Sequence, residues 1–225
     1  MPGERFVPVV GLVGGIGSGK SVVARWVSER ADVAIVDGDL AGHEALRSED
    51  VRQRVGERFP DCLTAETETI DRAILARRVF GADPVHQRAR EDLESIVHPV
   101  IRRSLENSID RYRSDQRQPG AVDAVLLDAA VLLEAGWRDL CDHVVFVDVP
   151  GRLRLERITA TRDWDRSVFA SRESAQWPLE QKRQAADTVL DNSGPLDGAG
   201  RRLLELIHSL TDAGSCPGDA SESSR

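Results

Sequence analysis

Short apolar runs at Val7–Val13, Val33–Val36, Ala121–Leu127, His143–Val149 and Thr188–Leu190 punctuate a chain whose remaining stretches are patterned mostly as helices. The runs lack a polar phase, and each ends at glycine, proline or an acidic residue. They therefore read as short buried strands. After the first run, Ser21–Arg30 places Val22, Val23, Trp26 and Val27 at helical spacing and leaves Arg25, Glu29 and Arg30 for solvent.

Between the second and third runs the pattern changes. Leu40–Phe59 is helical and charged, Pro60–Thr69 is a polar loop, and Asp71 is placed to cap a helix over Arg72–Phe80. Asp83-Pro84 opens another helix, which carries Leu93, Ile96 and Val97 to His98-Pro99. The proline is expected to kink or break it before helix resumes through Ile101, Leu105 and Ile109. No strand pattern occurs between Leu40 and Gly120, so residues 40–120 read as a helical lobe inserted between two strands. Further on, Leu153–Arg162 is amphipathic and ends in the charged run Arg162-Asp163-Trp164-Asp165-Arg166, and Leu203–Leu210 is a closing helix. The expectation is an α/β fold with a sheet of about five strands, forming one domain over residues 1–211. It carries the inserted lobe, a lid over residues 157–180, and a disordered tail at 212–225.

Composition narrows the class of function. A formal net charge of −8 and the lack of a basic, aromatic-interleaved stretch argue against nucleic-acid binding. No run approaches the roughly 20 apolar residues that cross a bilayer, and Met1–Arg5 has no signal-peptide pattern, so a cytoplasmic protein with no membrane partner is expected. Cys62, Cys141 and Cys216 are widely spaced and read as free thiols. The four tryptophans, Trp26, Trp137, Trp164 and Trp177, read as packing residues.

The chemistry centres on Gly14-Gly15-Ile16-Gly17-Ser18-Gly19-Lys20-Ser21, between the first strand and the first helix. In that context it is a phosphate-binding P-loop. The glycines let backbone N–H groups face an anion, Lys20 meets the β- and γ-phosphates of ATP, and Ser21 offers a hydroxyl to Mg²⁺. Asp37-Gly38-Asp39 ends the second strand. Asp39 is the first candidate for a base that accepts a proton from an attacking hydroxyl, and Asp37 for a metal or positioning group; in the alternative, Asp37-Gly38 is a turn and Asp39 a helix cap. Asp128 ends the third strand where a Walker-B acid reaches Mg²⁺, with a capping role as its alternative. Arg157 and Arg162 suit a lid over the triphosphate, or a solvated helix face. Arg72 and His98 could face a substrate in the lobe, although each also fits a plain helix position.

In chain order these segments resemble the dephospho-coenzyme A kinase family. The P-loop, Asp37-Gly38-Asp39, Ile70-Asp71-Arg72, Leu93–Pro99, Leu127-Asp128 with Leu132-Leu133-Glu134, Arg172 with Gln176, and Ala186-Asp187 with Asp191-Asn192-Ser193-Gly194 carry the resemblance. It implies a P-loop three-layer fold with a parallel five-stranded sheet, and transfer of the ATP γ-phosphate to the ribose 3′-hydroxyl of dephospho-CoA, with a helical lobe for the acceptor. It makes Asp39 the base, Arg162 a lid arginine at the phosphates and Asn192 a neighbour of the ATP adenine; Asp37, Arg72, His98 and Glu134 are the candidate substrate contacts. Ala130 stands where proline is usual, His43 where arginine is common, and Pro60 where Phe-Gly is usual. A P-loop kinase for another small hydroxyl or nucleotide would share the phosphate contacts, and a non-catalytic ATP-binding module would share the loop. A GTPase is disfavoured because no Asn-Lys-x-Asp motif occurs.

Overall fold

The structure is a computed structural model that describes residues 6–64, 69–81, 83–114, 121–161 and 164–214. Its centre is a five-stranded sheet of β1 (Val9–Gly14), β2 (Val33–Asp37), β3 (Ala124–Asp128), β4 (His143–Asp148) and β5 (Thr188–Asp191), in the order β2-β3-β1-β4-β5. Every pairing is parallel. The apolar runs lie on these strands, although the third begins at Ala124 rather than Ala121.

Alternation along each strand sorts the apolar side chains between two cores. Val9 and Val13, Val125 and Leu127, and Val144 and Phe146 pack on one face; Val10 and Leu12, Ala124 and Leu126, and Val145 and Val147 pack on the other. Both sets are buried, which is why the strands read as continuous apolar runs. The second face is covered by α1 (Lys20–Ser28) and α9 (Leu196–Gly214), joined by the Trp26 indole N–H donating to Asp197 at 2.8 Å.

The first face carries the inserted lobe: α2 (Gly38–Ala45), α3 (Glu49–Arg58), a short 3₁₀ turn at Pro60–Cys62, α4 (Arg72–Val79) and α5 (Pro84–Ser114). Asp71 caps α4 as its position predicts, accepting from the Ala73 and Ile74 N–H groups. Among the described residues only the isolated bridge Leu63–Ile70 has strand character in this lobe. The chain then returns through α6 (Gly151–Thr161), α7 (Arg166–Ser174) and α8 (Leu179–Gln184).

Two expectations need correction. α5 runs unbroken through Pro99 for 31 residues. The carbonyl that Pro99 leaves unpaired belongs to Ser95, and both residues are exposed, so water can satisfy it. Meanwhile Ile96, Val97, Ile101, Leu105 and Ile109 hold the helix against the core on its other side. The closing helix is also longer than expected, running from Leu196 to Gly214 rather than from Leu203 to Leu210. Ala199, Leu203 and Ile207 give it a buried stripe, and helix carries on through Asp212, Ala213 and Gly214; the rest of the expected tail, with Cys216, lies outside the described residues.

The register fixes the site. Asp37 of β2 stands beside Asp128 of β3, which is level with Leu12 of β1, so both acids and the start of the glycine loop meet at the carboxyl edge of the sheet. Ligands of open parallel sheets bind at that edge.

Candidate active site

The glycine loop leaves β1 at Gly14 and enters α1 at Lys20. Gly17 and Gly19 both sit at φ +80°, which a side chain would strain. The loop is held from outside by its carbonyls. Arg154 Nη1 donates to the Ile16 carbonyl at 3.0 Å, and Asn192 Nδ2 donates to the Ser18 carbonyl at 2.8 Å. A trans peptide turns its N–H opposite to its C=O, so the N–H groups of Gly17 and Gly19 are turned away from these two side chains. Gly19 is the N-cap of α1 and has no side-chain capping bond, which leaves the first N–H groups of the helix for an anion. Ser18 is buried, and its hydroxyl has no hydrogen-bond partner among the described residues.

Two cations that the sequence reading passed over or placed elsewhere support this anchoring, Arg154 directly and Arg157 chiefly through Asn192. Arg154 is 4% exposed. Besides the Ile16 carbonyl it reaches the Val149 carbonyl at 3.2 Å and Glu173 of α7 at 2.5 Å. A Cβ on Gly15 would lie 2.6 Å from its guanidinium, so a side chain there would displace Arg154 from the loop. Arg157, expected as a lid arginine, donates to the Asn192 carbonyl at 2.9 Å and lines the cavity described next. Asn192 itself is buried and acts on the loop rather than lining that cavity. Arg162 lies outside the described residues.

In front of the loop lies a cavity of about 640 Å³. All eight residues from Gly14 to Ser21 line it, together with Asp39, Arg157 and residues of α4, α5 and α7. Asp39 is exposed in the first turn of α2. Asp37 has a different part. It is the cap of α2, accepting from the Leu40 N–H at 2.9 Å, and it lines a second cavity of about 140 Å³ between β2, α2 and α5. The capping alternative thus falls on Asp37 rather than Asp39.

Lys20 and Asp128 pair directly, with side chains 13% and 6% exposed. Ser21 is exposed at the start of α1. Among the described residues no cluster of three or more His, Cys, Asp or Glu could hold a metal ion. The donors that remain, one hydroxyl and one carboxylate, fit an ion bound chiefly by phosphate oxygens and water.

The other candidate substrate contacts do not line the large cavity. Arg72 is exposed and meets the His43 ring. His98 packs edge-to-face on Trp137 at 5.4 Å, and burial pulls its pKa below the ordinary histidine value. Glu134 accepts from the Trp177 N–H at 3.0 Å and pairs with Lys182 at 2.8 Å. Lys182 is fully buried and also donates to the Ala130 carbonyl at 3.1 Å and to Gln176 at 3.0 Å. Glu134 is therefore a brace for Ala130 and Gln176, both of which line the cavity.

Trp164 departs from its expected packing role. It lines the cavity with Phe80 and Arg172, and the Arg172 guanidinium lies 4.6 Å from each ring centroid. Arg90 and Glu94 of α5 line the same cavity. Burial raises the Glu94 carboxyl above the usual range, partly offset by the Arg90 charge. Trp26 and Trp137 are core residues as expected, and Trp177 is half-buried against the lobe-side core. Cys62 and Cys141 are free and buried. Among the described residues no helix is long and apolar enough to cross a membrane.

The chain is similar to known proteins in sequence and in fold. The family model described as dephospho-CoA kinase matches residues 8–197. A dephospho-CoA kinase of Synechococcus sp. (strain CC9605) is 37% identical over 196 residues, covering 86% of this chain and 89% of the relative. Among solved structures, TT1252 from Thermus thermophilus is 31% identical with a TM-score of 0.73, covering 92% of this chain and 99% of that one. A dephospho-CoA kinase from Campylobacter jejuni shares the fold at 18% identity and a TM-score of 0.56, covering 91% and 98% of the two chains.

Proposed function

The chain belongs to the dephospho-CoA kinase family, and we propose that Asp39 and the Gly14–Ser21 loop carry the family's reaction from two sides of one cavity. That reaction is the ATP-dependent phosphorylation of dephospho-CoA at its ribose 3′-hydroxyl, giving CoA and ADP. One observation supports the assignment most strongly. Asp39 lines the cavity together with every residue of the loop, whereas the neighbouring carboxylate of Asp37 is engaged as a helix cap.

Phosphoryl transfer asks a protein mainly for positioning and charge. The Gly17 and Gly19 N–H groups and the open N-terminus of α1 receive the β- and γ-phosphates, and the unpartnered Ser18 hydroxyl is one further polar group at the loop. Lys20 places its ammonium on the transferring group, and Asp128 pairs with that ammonium. Asp39 accepts the proton of the attacking hydroxyl. Ser21 and Asp128 are the residues that would hold Mg²⁺ beside the phosphates. When bound, the ion supplies charge neutralisation of the phosphate oxygens. Arg157 keeps the loop in shape through Asn192 and adds positive charge to the cavity wall.

Replacing Asp39 by Asn removes the proton acceptor and leaves the loop untouched. Turnover falls by roughly 10²–10⁴-fold while ATP binds as in the wild type. Coupled ADP release and calorimetric titration with ATP measure the two quantities. A variant that turns over at the wild-type rate moves the base away from Asp39.

A further inference from the structure

The cavity is much larger than a phosphate cradle, and its walls have different origins. The side chains gathered on the glycine loop, Arg154, Arg157, Ile158, Leu179 and Asn192, all follow β4 in the chain. Phe80, Arg90 and Glu94 belong instead to the lobe inserted between β2 and β3. Trp164 and Arg172 reach across from the segment after α6 to that lobe side, with Arg172 lying 4.6 Å from both the Phe80 and Trp164 centroids. A guanidinium this close to two rings orients both by cation–π attraction. Trp164 and Arg172 are half-buried, Phe80 is 36% exposed, and all three line the cavity.

We propose that Phe80, Arg172 and Trp164 form the platform on which the adenine of the acceptor stacks, so that the stack distinguishes dephospho-CoA from smaller hydroxyl acceptors. The proposal rests on the reading of the chain as a dephospho-CoA kinase. Dephospho-CoA offers a flat base, a diphosphate and a flexible pantetheine arm. Of these, the base matches two aromatic rings held in orientation, because every base has a face that stacks. Arg90, on the same wall, supplies a cation suited to the diphosphate. Glu94, one helical turn further on, offers a carboxyl suited to the exocyclic amine of the base. The donor base is assigned elsewhere because its triphosphate is held at the loop, which Arg157 and Asn192 border, whereas Phe80, Arg90 and Glu94 of this wall belong to the inserted lobe.

The test measures dissociation constants for dephospho-CoA and for ATP separately, by calorimetry, on the full chain carrying W164A, W164F or R172K. Loss of a stacking face is expected to weaken dephospho-CoA by roughly tenfold or more in W164A, with ATP unchanged. W164F keeps a ring and restores most of the affinity. R172K keeps the charge but not the planar face that orders the rings, and it weakens dephospho-CoA as W164A does. If W164A does not fold, the contrast between W164F and R172K decides. Weakened ATP binding with intact dephospho-CoA binding assigns the stack to the donor and overturns the proposal. So does wild-type affinity for both ligands in W164A, or in R172K when W164A does not fold. A wild-type protein that binds no dephospho-CoA overturns the functional reading itself, a result these variants cannot imitate.

Discussion

Lys182 offers a quantitative test of how the cavity wall is braced. Its side chain is fully buried, and the ammonium has three partners: Glu134 at 2.8 Å, Gln176 at 3.0 Å and the Ala130 carbonyl at 3.1 Å. Replacing it with Met keeps much of the volume and removes all three donations. Glu134, 13% exposed, is left with the Trp177 N–H as its remaining hydrogen bond, and the Ala130 carbonyl loses a donor. Removing one member of a buried pair costs about 3–5 kcal/mol, because the surviving charge is uncompensated. The retained Trp177 bond puts K182M near the lower end, about 3 kcal/mol, out of a total stability of about 5–15 kcal/mol. Urea denaturation at neutral pH reads this as a lower midpoint at unchanged slope. E134Q in the same background removes the stranded charge while keeping an acceptor for Trp177, so K182M/E134Q is more stable than K182M. A K182M midpoint within error of the wild type, or a double variant no better than the single, refutes the account of the pair.

Two further outcomes test the loop and the core. Gly17→Ala sets a side chain at φ +80° and its Cβ 2.5 Å from the Arg154 carbonyl, so ATP affinity falls by about tenfold or more in a calorimetric titration. Unchanged affinity would mean that the loop does not need this conformation. Burial pushes the Cys141 thiol up to about 12, from about 9 for a thiol in water. Below pH 9 both folded and unfolded chains keep the proton; between pH 9 and 12 the unfolded chain loses it first, so stability falls as pH rises through that window. At about 1.4 kcal/mol per unit the loss approaches a few kcal/mol. C141A flattens the slope in alkaline urea titrations, and a slope equal to that of the wild type contradicts the assignment.

The strands were legible because the sheet is buried on both faces, which leaves Val9–Gly14 or Ala124–Asp128 without a polar phase to obscure them. The glycine loop was legible because its chemistry is local in sequence. Pro99 misled because a local rule met a tertiary environment: the proline lies on the exposed side of a helix already held by Ile96, Val97 and Ile101. Arg154 and Lys182 were missed because a cation in a charged helix normally faces water. A signal did exist. Arg154 shares the buried phase of α6 with Ile158, and Lys182 lies three residues after Leu179 on α8, so each is a charge set on an apolar stripe. Asp37 and Asp39 could not be told apart from sequence, since either residue type caps or catalyses. The backbone at the start of α2 decides between them. Trp164 was read as packing because nothing in its immediate neighbourhood reveals Phe80 of the lobe, 84 positions earlier in the chain.

The most direct test of the central claim is an acceptor comparison. Purified protein with Mg·ATP is offered dephospho-CoA, AMP, CMP or no acceptor, and both ADP release and product mass are followed. The account predicts ADP release with dephospho-CoA and a product of the mass of CoA, with the other acceptors no better than none. Equal turnover with AMP or CMP, or no product from dephospho-CoA, would contradict it.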